Sequence, residues 1–307
     1  MAKCSEIIKS LGLEPQRIVD DFEIKEPCGL SNLSNYGFTY LLDTIDSRAL
    51  VGNRFNEMTR FLLLVADTIT EDFNNPGVIV VRVREPRYVF AQIVESFYPD
   101  QEVTRRPSIH PTAIVAEDAE IADSVQIGAY SVIGKCQLSA NVVIGSHVIL
   151  FDDVYIKESS RIYSNCLIGT KDFSPIMSDD RPVVMHPQIG GVLIEENVEV
   201  FPATSIARGT FTNTVIQKGV KIDHHCQISH NVSIGGNTIV TTGVTICGSA
   251  RIGESCWLGP NSVIREYVDI SNGIFIMMGS VVTRTFSKEG IRVGGYPAQE
   301  LPRLQQS

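Results

Sequence analysis

Histidine is the residue of this 307-residue chain best suited to chemistry near neutral pH, and three of its six histidines cluster in KIDHHCQISHNV as His224, His225 and His230. An imidazole with an unperturbed pKa of about 6.5 can accept a proton from a nucleophile or, when neutral, bind zinc. His225 and His230 are five residues apart, which leaves both chemistries open until the scaffold is known. Sulfur is less well arranged. The seven cysteines, an odd number without CxxC spacing, fit reduced thiols better than a disulfide framework or a zinc knuckle.

The scaffold is legible as a repeat. From Ile216 an aliphatic residue recurs every sixth position, through Ile222, Ile228, Ile234, Val240, Ile246, Ile252, Leu258, Ile264, Ile270, Ile276 and Val282. At 43% hydrophobic residues, twelve such hits in a row have a chance probability of about 4 in 100,000, so the period is structural. It recurs at Ile121, Ile127 and Ile133, then from Leu138 through Ile144, Leu150, Ile156 and Ile162 to Ile168, and again at Ile194, Val200 and Ile206; the phase slips between blocks mark loops.

Six residues fit neither the period of a helix nor the alternation of an open sheet, but suit a parallel β-helix whose hexads each form one flat side. The fold expected is therefore mainly β, a left-handed parallel β-helix with a small N-terminal α/β domain. Three hexads close a coil of 18 residues, so residues 18 apart become vertical neighbours at about 4.7–4.9 Å. Gly128, Gly134, Gly145, Gly235, Gly253 and Gly259 follow the repeated aliphatic and are expected to form the tight corners.

Residues 1–105 read as a small mixed domain, in which the amphipathic stretches SEIIKSLGL and RYVFAQIVESFY alternate with the strand-like runs FLLLVA and VIVVRV. RRPSIHP, with Pro107 and Pro111, marks a boundary. The β-helix is expected over 106–286, interrupted by a loop at 169–191 and followed by a C-terminal tail at 287–307. A net charge of −9 argues against a nucleic-acid or anionic-membrane partner, and no run reaches the roughly 20 apolar residues of a membrane span. MAKCSEIIKS lacks the apolar core of a signal peptide, so the cytoplasm is the expected compartment.

The segments IHPTAIVAEDAEIADSVQIGAYSVIG, HPQIGGVLIEENVEVFPATSIARGTFTNTVIQKGVKIDHHCQISHNVSIGG and TICGSARIG resemble the UDP-3-O-acylglucosamine N-acyltransferase family of lipid A biosynthesis, and the resemblance covers nearly the whole chain. QISHNV is its most specific piece, because a hexad repeat alone would not produce it. The resemblance implies a homotrimer, a nucleotide-linked amino sugar as acceptor, and an acyl group from acyl carrier protein or acyl-CoA, with no bound cofactor and no metal. It makes His230 the general base, and the chemistry agrees, since an amine attacking a thioester must lose a proton. Gly248, one coil beyond, matches the family's backbone oxyanion donor, and a corner glycine is its alternative role. Asp223 and Gln227 match polar positions at the sugar end of the cleft, and His186 and Gln188 lie in the part matching the family's substrate loop. Tyr40 and Asp43 fall where the family has an aromatic residue and an asparagine at the uracil; a core position is the competing reading for Tyr40.

Three features depart from that pattern. VIREYVDI sets Tyr267 where the family has a second histidine, and a phenol does not readily take a proton at pH 7. The glycine-rich phenylalanine stretch of the family loop is reduced to KDFSP, and GSVVTRTFSKEGIRVGGYPAQEL resembles the closing segment of acetyl-CoA-dependent sugar acetyltransferases. An acetyl-CoA-dependent nucleotide-sugar N-acetyltransferase of surface-polysaccharide synthesis is therefore the alternative function. A zinc hydratase of the γ-carbonic-anhydrase type needs a third ligand, and neither His224 nor His186 is offset from His225 and His230 by whole coils. A noncatalytic binding solenoid is the remaining alternative.

Overall fold

The computed structural model describes residues 2–15, 21–43, 57–71, 73, 75–97 and 108–301. The chain divides into two compact units, Met1–Thr104 and Arg105–Ser307. Pro107 and the other residues of RRPSIHP before Ser108 lie outside the described residues, as do 302–307.

In the first unit, β1 (Ala2–Lys3) pairs antiparallel with β2 (Glu23–Ile24), and α1 (Cys4–Ser10) follows β1 directly. β3 (Glu26–Pro27), β4 (Gly37–Leu41), β5 (Phe61–Ala66) and β6 (Val78–Val83) form a four-stranded parallel sheet in sequence order. Every residue of β5 is buried, because side chains alternate between two separate cores: Leu62 and Leu64 join one, Phe61, Leu63 and Val65 the other. A parallel strand covered on both faces needs such an unbroken apolar run, which is why FLLLVA and VIVVRV do not alternate with polar residues. α2 (Pro86–Phe97) adds Ile93 to the first core.

The second unit is a left-handed parallel β-helix. Three parallel sheets form its sides, and most strands are only two residues long. The register is vertical: Ile228 pairs with Ile246, Ile246 with Ile264 and Ile264 with Val282. Each aliphatic of this row is fully buried, so the hexad period is the footprint of one inward side chain per side. At about 25 cal/mol per Å² of apolar surface, these stacked rows are the main favourable term in a solenoid whose coils touch only their neighbours.

Most corners turn through one residue with φ near +60°, among them Asn141, His147, Asn231, Asn237, Ser249 and Asn261. Asparagine dominates because its short polar side chain tolerates the left-handed region best after glycine. The corner glycines expected from the repeat have a different role. Gly128, Gly145, Gly235, Gly253 and Gly259 do not have positive φ, but a β-carbon on Gly128 would come to 2.5 Å from the backbone of Gly145, and one on Gly259 to 2.5 Å from Met278 N. They are small because coils approach closely there, and the residue with positive φ lies two positions further on.

The phase slips also have two causes. Between Ile133 and Leu138 one corner is a residue short, so Ile121 pairs with Leu138 only 17 positions on. Elsewhere residues are inserted: Ile168 pairs with Ile206, 38 positions on, and Ile206 with Ile228, 22 on. Residues 287–307 contain more than a tail. Arg292–Gly295 adds a parallel rung on Phe275–Ile276 and then turns back antiparallel through Ala298–Leu301.

Candidate active site

His230 occupies the corner between strands Gln227–Ile228 and Ser233–Ile234. The next residue, Asn231, makes the turn with φ of +58° and has every side-chain polar atom engaged. Its Oδ1 accepts the N–H of Thr210 at 3.0 Å and its Nδ2 donates to Thr212 Oγ1 at 3.1 Å. These bonds fix which end of the amide is oxygen, and that oxygen lies 3.1 Å from His230 Nδ1. Facing an atom that can only accept, Nδ1 is the nitrogen placed to carry the proton of a neutral ring, whose lone pair is then on Nε2. Thr210 Oγ1 stands 3.4 Å from the same Nδ1.

Gly248 lies one coil away beneath the ring. A β-carbon there would come to 2.5 Å from Nε2 and 2.7 Å from Cε1. The coils are joined by Ser249 N–H donating to His230 O at 2.9 Å, and among the described residues no acceptor takes the Gly248 N–H. The bare nitrogen of the imidazole and a free backbone donor thus share one corner.

Both insertions leave the β-helix at this corner, in the two coils preceding His230. The longer one follows Leu167–Thr170 and carries an antiparallel pair, Pro175–Ile176 with Val184–Met185. Its neck is closed by Gln188, buried at 5% exposure, whose Oε1 accepts Asp172 N–H at 2.6 Å. Asp172 Oδ2 in turn accepts the backbone N–H of His230 at 2.9 Å. In the shorter insertion, Arg208 Nε donates to Gly190 O at 2.6 Å and its guanidinium meets Asp153 at 2.8 Å, clamping the exit of the longer loop. Thr210 and Thr212 of this insertion supply the bonds to Asn231.

The remaining sequence-selected residues are distributed as follows. Gln227 sits on the strand just before His230. Asp223 is at the opposite end of the same side, its Oδ1 2.6 Å from His224 Nδ1 and accepting the His224 N–H at 2.8 Å. Burial pushes the Asp223 carboxyl up, but the His224 hydrogen bonds and charge outweigh it and hold the group below its usual range. His224 continues a ladder of rings, 5.5 Å from Phe201, which stacks on Tyr163 at 4.6 Å. His225 turns that corner with φ of +57°, so a full side of the prism separates it from His230. Among the described residues no group of three His, Cys, Asp or Glu could hold a metal ion.

His186 rests edge-on against Phe211 of the shorter insertion, ring centroids 5.8 Å apart, and Nδ1 lies 2.9 Å from Pro187 O. Gln188 does not face outward as a ligand contact would; its amide is occupied by the neck. Tyr267 is 75% exposed, and its N–H donates to Gly248 O at 3.1 Å. It shares the positive-φ column of Asn231 and Ser249, so Glu266, not Tyr267, continues the column of His230 and Gly248. Tyr40 belongs to the other unit, half-buried on β4 with its ring 5.0 Å from Phe90. In that unit a cavity of ≈ 560 Å³, lined by Leu42, Ala66, Arg84, Pro86 and Tyr88 among others, opens where β5 and β6 end and α2 begins.

Cys247, the cysteine beside Gly248, is not set up as a nucleophile. Burial first, then the charges of Glu266 and Asp172, push the Cys247 thiol above its ordinary value. Asp172, Thr210 and Asn231 escaped the sequence reading. Asn231 stood within QISHNV as a signal, whereas nothing in KDFSP ties Asp172 to a histidine 58 positions away.

No family model matches the chain. The UDP-3-O-acylglucosamine N-acyltransferase of Pseudomonas entomophila is 35% identical over 245 residues, covering 73% of this chain and 69% of that protein. That of Pseudomonas syringae pv. tomato is 33% identical over 236 residues, covering 71% of this chain and 66%, just under two thirds, of that protein. That of Pseudomonas fluorescens is 29% identical over 306 residues, 92% of this chain and 84% of the relative. Among solved structures, a UDP-N-acetylglucosamine acyltransferase from Campylobacter jejuni matches with TM-score 0.55 at 25% identity, over 63% of this chain and 73% of that one. The UDP-N-acetylglucosamine O-acyltransferase from Moraxella catarrhalis gives TM-score 0.52 at 24% identity, over 64% and 74%, a likeness of fold.

Proposed function

The chain belongs to the UDP-3-O-acylglucosamine N-acyltransferase family, and from that premise we propose that it transfers an acyl group from a thioester donor to the amine of a nucleotide-linked amino sugar. The observation that carries this reading is the placement of the His230 ring, whose Nδ1 faces Asn231 Oδ1 at 3.1 Å and whose Nε2 lies against Gly248. With the proton held on Nδ1, Nε2 is the base and the Gly248 N–H the nearby donor. As the amine nitrogen attacks the thioester carbonyl, Nε2 takes the nitrogen's proton and the Gly248 N–H receives the oxyanion. When the intermediate collapses, the carbon–sulfur bond breaks and the thiolate leaves with the proton from the imidazolium. One oxyanion donor is commonly worth ~2.7–4 kcal/mol of barrier.

Asp223 and Gln227 are proposed sugar contacts on the side that ends at His230, His186 a substrate contact on the longer insertion, and Tyr267 a hydrogen-bond donor at the rim. Gln188 serves by keeping the insertion seated. Tyr40 is proposed as a contact to the base. The donor is acyl carrier protein or acyl-CoA, and the reaction takes place in the cytoplasm without a bound cofactor. No helix among the described residues is long and apolar enough to cross a membrane. A homotrimer is proposed because Phe173, Met177 and Phe211, each at least 68% exposed, give the insertions an apolar surface suited to a neighbouring subunit. A second reading, a short acyl-CoA donor and a role in surface-polysaccharide synthesis, is favoured by Arg292–Leu301, which folds back as a strand pair in the segment resembling sugar acetyltransferases.

The test is to incubate the purified protein with UDP- and dTDP-linked amino sugars and either 3-hydroxyacyl carrier protein or acetyl-CoA, following N-acylated product by mass spectrometry. Product from the carrier protein, abolished in His230→Ala, supports the main reading. Product from acetyl-CoA alone supports the second. Absence of product from both donors, or an unimpaired variant, rejects acyl transfer at His230.

A further inference from the structure

We propose that Asp172 is a positioning residue for His230, its carboxylate bolting the neck of the longer insertion to the backbone of the catalytic corner and lending that corner a negative charge. This rests on the reading of His230 as the base. Four bonds converge on Asp172: Oδ2 accepts the His230 N–H at 2.9 Å, Oδ1 accepts the Phe173 N–H at 2.9 Å, its own N–H donates to Gln188 Oε1 at 2.6 Å, and its carbonyl oxygen accepts Gln188 Nε2 at 3.5 Å. The first is the bond that reaches the histidine, and being charge-assisted it is stronger than an ordinary amide bond. Gln188 cannot swing away without leaving a buried amide unpaired. Seating of the insertion and placement of the His230 backbone are therefore one event.

The imidazole becomes cationic while it holds the amine's proton, and Asp172 brings a carboxylate to the backbone of that same residue. The charged and titratable groups around the corner are Asp172 from the insertion and Cys247 and Glu266 from the coils beyond, with Arg208 paired to Asp153 on the other side. Cys247, next to Gly248, is a built-in reporter, since its thiol feels both Glu266 and Asp172.

The experiment compares Asp172→Ala and Asp172→Asn with wild type, His230→Ala and a charge-removal control on the same insertion, Asp180→Asn, measuring kcat and KM for acyl transfer and the alkylation rate of Cys247 at pH 8. Asp172→Ala is expected to lose about tenfold or more in kcat with KM changed less than about threefold, as for loss of a charge-assisted bond. Asp172→Asn keeps an acceptor but not the charge, and is expected to fall between the two. Cys247 alkylation is expected to rise roughly two- to fivefold in both variants and to stay at the wild-type rate in Asp180→Asn. If Asp172→Ala does not fold, the Asn variant carries both measurements. Wild-type kcat in the Asp172 variants, a change in KM alone, or an unaltered Cys247 rate overturns the inference while an inactive His230→Ala leaves the base assignment standing. An active His230→Ala removes the base assignment and this inference with it.

Discussion

Gly248 lies against the His230 imidazole so closely that a β-carbon on it would stand 2.5 Å from Nε2. No other residue leaves the ring where it is. The backbone itself does not ask for glycine, because Gly248 is not among the residues with positive φ. The requirement comes from the side chain one coil away.

Gly248→Ala should therefore fold normally yet lose about 10²–10³ in kcat, through displacement of the proposed base and crowding of the proposed oxyanion donor. Gly236→Ala is the matched control, since a β-carbon there meets only Lys218 O, at 3.2 Å. Steady-state kinetics beside thermal melts checks this, and full activity in Gly248→Ala would show that neither group matters.

Asn231→Ala removes the acceptor opposite Nδ1 and the anchor for Thr210 and Thr212. We expect His230 to populate both neutral tautomers, visible as a change in its ring ¹⁵N shifts, with kcat down by about tenfold, at the lower end of what a misplaced general base loses. Unchanged ¹⁵N shifts would remove the argument for a fixed tautomer.

Arg208 is largely buried between Asp153 and Gly190, although Asp153 itself is about half exposed. With that screening, Arg208→Met should destabilise the protein by about 1–2 kcal/mol, the lower part of the range for hydrogen bonds to charged groups. It should also loosen the insertion. Guanidinium midpoints give the first effect, and faster proteolysis near residues 172–188 than in the prism gives the second; equal midpoints would assign the pair no stabilising role.

Burial pushes the thiols of Cys4 and Cys136 up to about 12 and those of Cys166 and Cys226 to about 11. In the unfolded chain a thiol ionises near ~8.5. Between these values the unfolded state has released protons that the folded state still holds, so stability is intact below about pH 8.5 and declines as pH rises toward 11. Each such thiol adds a slope of about 1.4 kcal/mol per pH unit. Urea midpoints at pH 7, 9 and 10 should fall in that order, and a flat profile would mean that the thiols are not protected.

The hexad period determined most of the architecture. A β-helix repeats one local decision, an aliphatic inward on each side, and that decision is written in every sixth residue; the runs FLLLVA and VIVVRV announced two strands of the first unit, though not that they pair in parallel. The same arithmetic brought Gly248 to His230, because they are 18 residues apart in an uninterrupted stretch.

What the sequence could not supply was whatever depends on contacts across the insertions. Asp172 reaches His230, Gln188 turns inward and Thr210 meets Asn231 only because 38 and 22 residues separate rungs that elsewhere are 17 or 18 apart. The path of such a loop is decided by burial and hydrogen bonds with distant neighbours, for which no period exists to be read. The corner glycines make the same point at close range. Their type was visible, but the reason for it, the backbone of the next coil, exists only once the coils are stacked.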